Sequence, residues 1–181
     1  MQAQRYALVS YVRSSVGRFV ERLRQELHPD LPHLPAHLTI LPQRHLRGSE
    51  LSALQLLEEL CSRAEPFEIE LGEVETFIPV TATVFIDVAQ SGHLMRELHN
   101  RLNTQALAAP EEWPYMPHLT IAKMSNRELA EQAYLVARDR WAEFTGSRIV
   151  ALKELTFVRE DGENHWVDLA GLPLGRSLVE R

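Results

Sequence analysis

Apolar and polar positions in the first half of the chain alternate between the spacing of strands and the spacing of helices. Residues 6–12 are rich in β-branched and aromatic side chains, which predicts a buried strand. An apolar stripe at helical spacing follows, with Arg24 on its polar side, and consists of Val16, Phe19, Val20, Leu23 and Leu27. A leucine-rich run over residues 51–61 predicts a second helix, which Ser49 can cap. Residues 67–71 then alternate as a half-exposed strand does.

The same order of elements begins again near the middle of the chain. Residues 83–88 have the pattern of an apolar strand, and Ser91 can cap the helix behind it. Residues 125–128 have the spacing of a capping box, which predicts the start of a further helix. Three extended stretches then follow, the last two joined around Asp161 and Gly162 as a hairpin; they are residues 146–152, 155–159 and 165–170.

The repeated order predicts an α+β fold built by internal duplication. One repeat covers about residues 6–77 and the other about residues 83–170. A length of 181 residues and a hydrophobic content of 45% are those of one domain with a substantial core. No low-complexity linker divides the chain, so we expect a single two-lobed domain over residues 1–181.

A tetrapeptide, His-Leu-Thr-Ile, occurs once in each repeat, at residues 37–40 and 118–121. The two histidines are 81 positions apart, and Pro35 and Pro117 come shortly before them. Side chains of an extended strand alternate between its two faces, so His and Thr share one face while Leu and Ile share the other. Each copy is therefore predicted to be a strand with one buried face. If the two strands face one another, two histidines and two threonines line one cleft.

Two histidines in one cleft are suited to acid and base chemistry at a phosphorus centre. A neutral imidazole has one nitrogen that accepts and one that donates a proton, and its ordinary pKa of about 6.5 allows both states near neutral pH. His37 and His118 are therefore the candidate catalytic pair. Thr39 and Thr120 lie on the same faces and can donate hydrogen bonds to the non-bridging oxygens of a phosphate.

Charge and cysteine content narrow the class of protein. The net charge of −6 argues against a general nucleic-acid coat protein, so an anionic substrate must be held by a local basic pocket. The single cysteine, Cys61, cannot form an internal disulfide, which fits a reducing compartment. No apolar stretch is long enough to span a membrane and the N-terminus lacks the pattern of a secretion signal. We therefore expect a cytoplasmic protein without membrane contact.

The paired His-x-Thr-x motifs, each on an extended segment and separated by half the chain, resemble those of the two-histidine phosphoesterase superfamily. Its members include bacterial RNA 2',3'-cyclic phosphodiesterases, also called 2'-5' RNA ligases. The resemblance covers nearly the whole chain and implies two antiparallel sheets related by a pseudo-two-fold axis. Helices would lie on their outer faces, and a metal-free cleft would lie between the lobes. It also implies His37 as proton donor, His118 as proton acceptor, and Thr39 and Thr120 as phosphate ligands.

The function implied by the resemblance is RNA processing. The enzyme would open 2',3'-cyclic phosphates of RNA ends or small nucleotides, and by reversal join RNA ends through a 2'-5' bond. The chain has no Lys-x-Asp-Gly motif and no glycine-rich phosphate loop, so ligation is expected to need no ATP. We expect a monomer without a cofactor.

Four further residues near the motifs are candidates for substrate binding. Arg44 and Lys123, at the ends of the motif strands, are either phosphate clamps or ordinary solvated residues. Trp113 and Tyr115, just before the second motif, either stack on a nucleobase or pack in the fold.

Two alternatives stay open. The same cleft could bind a nucleotide or an RNA end without turnover, or both motifs could simply be core strands. A metal site is not expected, because the histidines that could form one fit no common zinc spacing and no carboxylate or cysteine accompanies them; they are His28, His33, His37 and His45. For four of the histidines outside the motifs we expect structural roles; these are His28, His33, His93 and His99.

Overall fold

The two tetrapeptides lie on neighbouring strands in the computed structural model, which describes residues 3–28 and 34–175. These residues form four helices, one short 3-10 helix and eight strands. In chain order they are β1 (Tyr6–Tyr11), α1 (Ser15–Leu27), β2 (His37–Arg44), α2 (Glu50–Ser62), β3 (Phe67–Thr76), β4 (Thr83–Gln90), α3 (Gly92–Leu102), the 3-10 helix (Gln105–Leu107), β5 (His118–Lys123), α4 (Arg127–Ala142), β6 (Ile149–Leu152), β7 (Glu154–Glu160) and β8 (Trp166–Pro173). His33, for which a structural role was expected, lies outside the described residues.

All eight strands belong to one antiparallel sheet, in the order β6-β3-β4-β5-β2-β1-β7-β8. The single α+β domain is confirmed, whereas the expectation of two separate sheets is wrong. The two halves of the sheet meet at β2 and β5, which share one residue pair, Leu38 with Leu119. We call this junction of β2 and β5 the seam. The pseudo-two-fold axis and the duplication stay predictions.

The sheet is strongly curled, and the connection from β6 to β7 shows why. Lys153 alone joins these strands, although β6 is the first strand of the sheet and β7 the seventh. Two trans peptide steps span at most about 7.6 Å between Cα atoms. Six strand spacings in a flat sheet would cover roughly 29 Å, at about 4.8 Å each. The sheet therefore has to bend until its two ends approach each other at Lys153.

The ends of the helices and strands differ from the sequence prediction by a few residues. Ser49 caps α2 as expected, since its side chain accepts a hydrogen bond from the Ser52 amide at 3.0 Å. The cap of α4 is Asn126, one residue after the start of the predicted capping box, and it accepts from the Leu129 amide at 2.9 Å. Ser91 occupies the N-cap position of α3 but makes no side-chain capping bond. The predicted hairpin joins β7 to β8.

Burial follows the predicted alternation within both motifs. The Leu and Ile side chains of residues 37–40 and 118–121 are completely buried, in one core with side chains from all four helices. After each motif the strand pairing shifts by one residue, so that Leu41 and Ala122 are buried next to the preceding isoleucines. Such bulges change which face the following residues occupy. The histidines and threonines lie on the opposite, partly exposed face of the sheet.

Past the Leu38–Leu119 pair, the carbonyl groups of β5 at the seam are bound by an arginine of α1. Arg24 donates from Nη2 to the Thr120 carbonyl and from Nε to the Ile121 carbonyl, both at 2.8 Å. Its Nη1 donates to the Leu34 carbonyl at 2.9 Å. The residue is 7% exposed, so the sequence interpretation that placed it on the polar side of the helix is wrong.

The carbonyl groups of β2 at the seam are bound in the same manner from the other half of the chain. Tyr115 donates its hydroxyl to the Thr39 carbonyl at 2.8 Å. His99 of α3 lies with Nδ1 at 2.6 Å from the Ile40 carbonyl and is buried, as expected of a structural histidine. Buried carbonyl groups need such donors, because leaving them unpaired costs free energy. Side chains of one half therefore hold the motif strand of the other.

Within the described part of the chain, none of the helices combines the length and apolar character that crossing a membrane requires.

Replacing Arg24 with methionine should strongly destabilise the fold. Loss of a charged donor to several buried carbonyl groups is expected to lower the free energy of unfolding by about 3–5 kcal/mol, measured by urea denaturation. Arg18→Met, on an exposed position of the same helix, is the control and should change it by about 0.5 kcal/mol or less. Equally small effects of both substitutions would contradict this role for Arg24.

Candidate active site

The register at the seam sets the histidines and threonines crosswise. Counted outward from the Leu38–Leu119 pair, the antiparallel register sets His37 on the side of Thr120 and Thr39 on the side of His118. The four predicted side chains are thus brought together on one partly exposed face of the sheet at the seam.

Both imidazoles are held in the same way by the residue two positions earlier. Nδ1 of His37 lies 2.7 Å from the Pro35 carbonyl, and Nδ1 of His118 lies 2.7 Å from the Met116 carbonyl. A carbonyl oxygen only accepts, so in each ring Nδ1 must carry the hydrogen. In the neutral ring Nε2 is then left as the proton acceptor.

Both histidines are harder to protonate than a histidine in water. Burial, helped by the positive charges of Arg24 and Lys123 and by His118, lowers the pKa of His37 to about 4, although the bond to Pro35 opposes the shift. Burial and the charge of Lys123 also lower the pKa of His118. Both rings are therefore predominantly neutral at pH 7, so one of them must acquire a proton before it can act as an acid.

The walls of the cleft differ on the two sides. His118 contacts the edges of two phenylalanines, with ring centroids 5.1 Å from Phe77 and 5.3 Å from Phe85. His37 has Tyr11 as its partner on β1, and the Tyr11 hydroxyl donates to Asp168 Oδ1 at 2.5 Å. Burial raises the pKa of Tyr11, so this hydroxyl stays protonated. Sequence reasoning missed these neighbours, because only the strand pairing brings them to the motifs.

The structure corrects the prediction for Arg44. The side chain is 6% exposed, and its guanidinium donates to the carbonyl groups of Pro42 and Leu107 and to the side chains of Asn103 and Glu111. It is therefore neither a phosphate clamp in the cleft nor a solvated residue. Its role is to fasten the end of β2 to the segment that follows α3.

The other three candidates have different surroundings. Lys123 is exposed at the end of β5, and its charge acts on both histidines, which is compatible with the predicted phosphate contact. Tyr115 stacks on His99, with ring centroids 4.1 Å apart, and its hydroxyl is bound to the Thr39 carbonyl. It therefore packs in the fold, the alternative given for it. Trp113 is 60% exposed, and its ring is accessible.

No group of three or more histidine, cysteine, aspartate or glutamate side chains with the geometry to hold a metal ion occurs among residues 3–28 and 34–175. The chemistry that these residues themselves offer is proton transfer and hydrogen bonding. Two imidazoles with available Nε2 atoms can respectively accept and deliver a proton, and two threonine hydroxyls can donate to an oxyanion between them.

Nitrogen-15 NMR tests the state of both rings directly. We expect the Nδ1–H form for His37 and His118, and a pKa of about 4 for His37. Lys123→Gln removes a positive charge that disfavours protonation, so it should raise the pKa of both. Lys153 is the only other lysine in the sequence, so Lys153→Gln is the control and should leave the pKa of both histidines unchanged. Nε2–H tautomers, or insensitivity to Lys123, would contradict the described electrostatics.

Comparison with known protein families gives one match that covers most of the chain. The model of the 2'-5' RNA ligase superfamily matches residues 12–164, which include both motifs. Among curated proteins, "Putative phosphoesterase BH1439" of Halalkalibacterium halodurans is 28% identical over 157 residues, covering 86% of this chain and 87% of that protein. "Putative phosphoesterase OB1230" of Oceanobacillus iheyensis is 28% identical over 120 residues, covering 66% and 70%.

Solved structures share the fold at low sequence identity. LigT of E. coli in complex with NADP+ has a TM-score of 0.62 and 17% identity, covering 97% of this chain and 99% of LigT. TT0787 of Thermus thermophilus has a TM-score of 0.63 and 18% identity, covering 96% and 100%. Usb1 of Kluyveromyces marxianus has a TM-score of 0.52 and 11% identity, covering 94% and 98%. At such low sequence identities, the structural similarity is evidence of a shared fold and of nothing further.

Proposed function

The chain belongs to the 2'-5' RNA ligase superfamily, and we propose that it is a metal-independent phosphoesterase that opens 2',3'-cyclic phosphates of RNA ends or small nucleotides. The observation that carries the proposal is the crosswise set of two histidines and two threonines at the seam. Because Nδ1 of each imidazole is bound to a backbone carbonyl, Nε2 of both rings is left for proton transfer, as an acid and base pair requires. Crystals of E. coli LigT with 3'-AMP and with phosphate give further support, since that fold accepts such ligands.

Hydrolysis in this cleft needs two proton transfers. Water attacks phosphorus and forms a new P–O bond while one ribose oxygen of the cyclic phosphate leaves. Nε2 of one histidine takes the proton of the water, and Nε2–H of the other protonates the departing oxygen. The product is a phosphate monoester on an opened ribose. The family resemblance assigns the donor role to His37 and the acceptor role to His118.

Threonine hydroxyls stabilise the charge that develops during the attack. In this proposal Thr39 and Thr120 donate to the two non-bridging oxygens, and hydrogen bonds to a charged group are worth roughly 1.5–3 kcal/mol. The anionic phosphate also favours the protonated form of a neighbouring histidine, which offsets the lowered pKa of the free site.

Ligation is the same chemistry with a different nucleophile. If the 5'-hydroxyl of a second RNA end replaces water and the 3' oxygen leaves, the product is a 2'-5' bond. One phosphodiester bond is exchanged for another, so no ATP is consumed.

Substitution of either histidine should nearly abolish turnover. General acid or base catalysis contributes about 10²–10⁴-fold, so His37→Ala and His118→Ala should each reduce kcat by that factor. Because the two act as a unit, the double variant should be little worse than the poorer single one. Thr39→Val and Thr120→Val should cost less. His93→Ala, on an exposed position of α3, is the control and should retain full activity.

The assay uses RNA ending in a 2',3'-cyclic phosphate, incubated with excess EDTA and without ATP. Product formation is expected under these conditions. Product only with added metal or ATP would overturn the proposal. Tight binding of the RNA end without any turnover would favour a binding module in its place.

The pH dependence of kcat/KM follows from the lowered histidine pKa values. Activity needs one protonated and one neutral histidine, so the profile should be bell-shaped, with limbs that belong to the pair jointly. Since burial lowers the pKa of both rings, the maximum should lie below the ordinary histidine value of about 6.5. At higher pH neither ring holds a proton to donate, and at lower pH neither can accept one. A maximum above that value would contradict this account.

A further inference from the structure

An open depression lies between the end of α3 and the segment that leads to His118. Its volume is about 470 Å³, within the range of small-molecule sites. Three rings line it, those of His99, Trp113 and Tyr115. Tyr115 also connects it to the cleft, because its hydroxyl is bound to the carbonyl of Thr39, a predicted phosphate ligand.

The floor of this depression is fixed by bonds within the protein. Glu111 Oε1 lies 2.9 Å from His99 Nε2 and 3.3 Å from Arg44 Nη2. Asn103 Oδ1 accepts from Arg44 Nη1 at 2.6 Å and from the Ala109 amide at 3.0 Å. Since these groups already have partners, they shape the site more than they offer contacts to a ligand.

The rim carries groups that are available to a ligand. Trp113 is 60% exposed, and Asn100 and Glu112 are exposed as well. None of these three side chains forms a hydrogen bond or an ion pair with a residue of the described ranges. The rim therefore offers a flat aromatic face, an amide and a carboxylate.

These groups suit a nucleobase better than a phosphate. The carboxylates of Glu111 and Glu112 repel an anion, whereas bases stack on aromatic side chains and are read at their edges by amides and carboxylates. A carboxylate only accepts hydrogen bonds, so it favours a base that presents an amino group, such as cytosine through its 4-amino group. Uracil presents a carbonyl oxygen at that position.

We propose that this depression is the base subsite for the nucleotide whose phosphate reaches Thr39 and Thr120, with Trp113 as the stacking surface and Glu112 as the residue that selects amino-bearing bases over uracil. This inference rests on the proposed function and adds a base preference to it.

Cytidine and uridine 2',3'-cyclic phosphates are the matched pair that tests it. We expect kcat/KM of the natural protein to favour cytidine by about tenfold, the discrimination that one hydrogen bond to a charged group provides. Glu112→Gln can meet either base with its amide, so it should bring the ratio close to one. Trp113→Ala should lower kcat/KM for both bases by about tenfold without changing their ratio, and Trp113→Phe should restore part of the loss. Glu58→Gln, on an exposed position of α2, is the control and should leave rates and ratio unchanged.

Binding of cytidine and uridine 3'-monophosphates, measured by calorimetry, separates this inference from the proposed function. A cytidine preference that Glu112→Gln removes, in a protein without turnover, would support the subsite and overturn the enzymatic proposal. Turnover of both substrates at equal rates by the natural protein would overturn the subsite alone. A cytidine-to-uridine ratio of kcat/KM that is unchanged in Glu112→Gln would also overturn the subsite, provided that the melting temperature shows that this variant is folded.

Discussion

The structure depends on how weakly β2 and β5 pair with each other. They share the Leu38–Leu119 pair, and beyond it the strand carbonyl groups are bound by side chains of Arg24, His99 and Tyr115. A continuous ladder would hold neighbouring strands about 4.8 Å apart along their whole length and leave no space between them. Here side-chain donors satisfy carbonyl groups of both strands in place of a ladder, and our proposal puts the substrate between the two motifs, where the ladder is missing.

This arrangement also makes the two halves of the chain depend on each other. Arg24 belongs to the first half and binds β5, whereas His99 and Tyr115 belong to the second half and bind β2. The one-residue connection at Lys153 links the two ends of the sheet as well. Neither half retains its seam contacts without the other, and for this reason a sequence that repeats the same order of elements forms one domain.

The sequence was sufficient to identify the catalytic candidates, and physical reasons explain what it left out. Alternation within residues 37–40 and 118–121 determines which side chains share a face, and burial agrees with it at every position. The position of Arg44 could not be derived in this way, because two shifts in the pairing of β1 with β2 lie between the motif and that residue. Its partners, Asn103 and Glu111, are also 59 and 67 positions away along the chain. The burial of Arg24 likewise depends on contacts with β5 that helical periodicity does not contain. The roles of the two histidines, the monomeric state and the cytoplasmic location stay predictions.

The central claim is that one phosphate is held by both motifs at the seam, and a crystal structure of the protein with inorganic phosphate tests it most directly. The account predicts phosphate oxygens within hydrogen-bond distance, about 2.6–3.2 Å, of Nε2 of His37 and His118 and of the hydroxyls of Thr39 and Thr120. A phosphate bound to only one motif, or bound elsewhere while the seam is accessible, would contradict it.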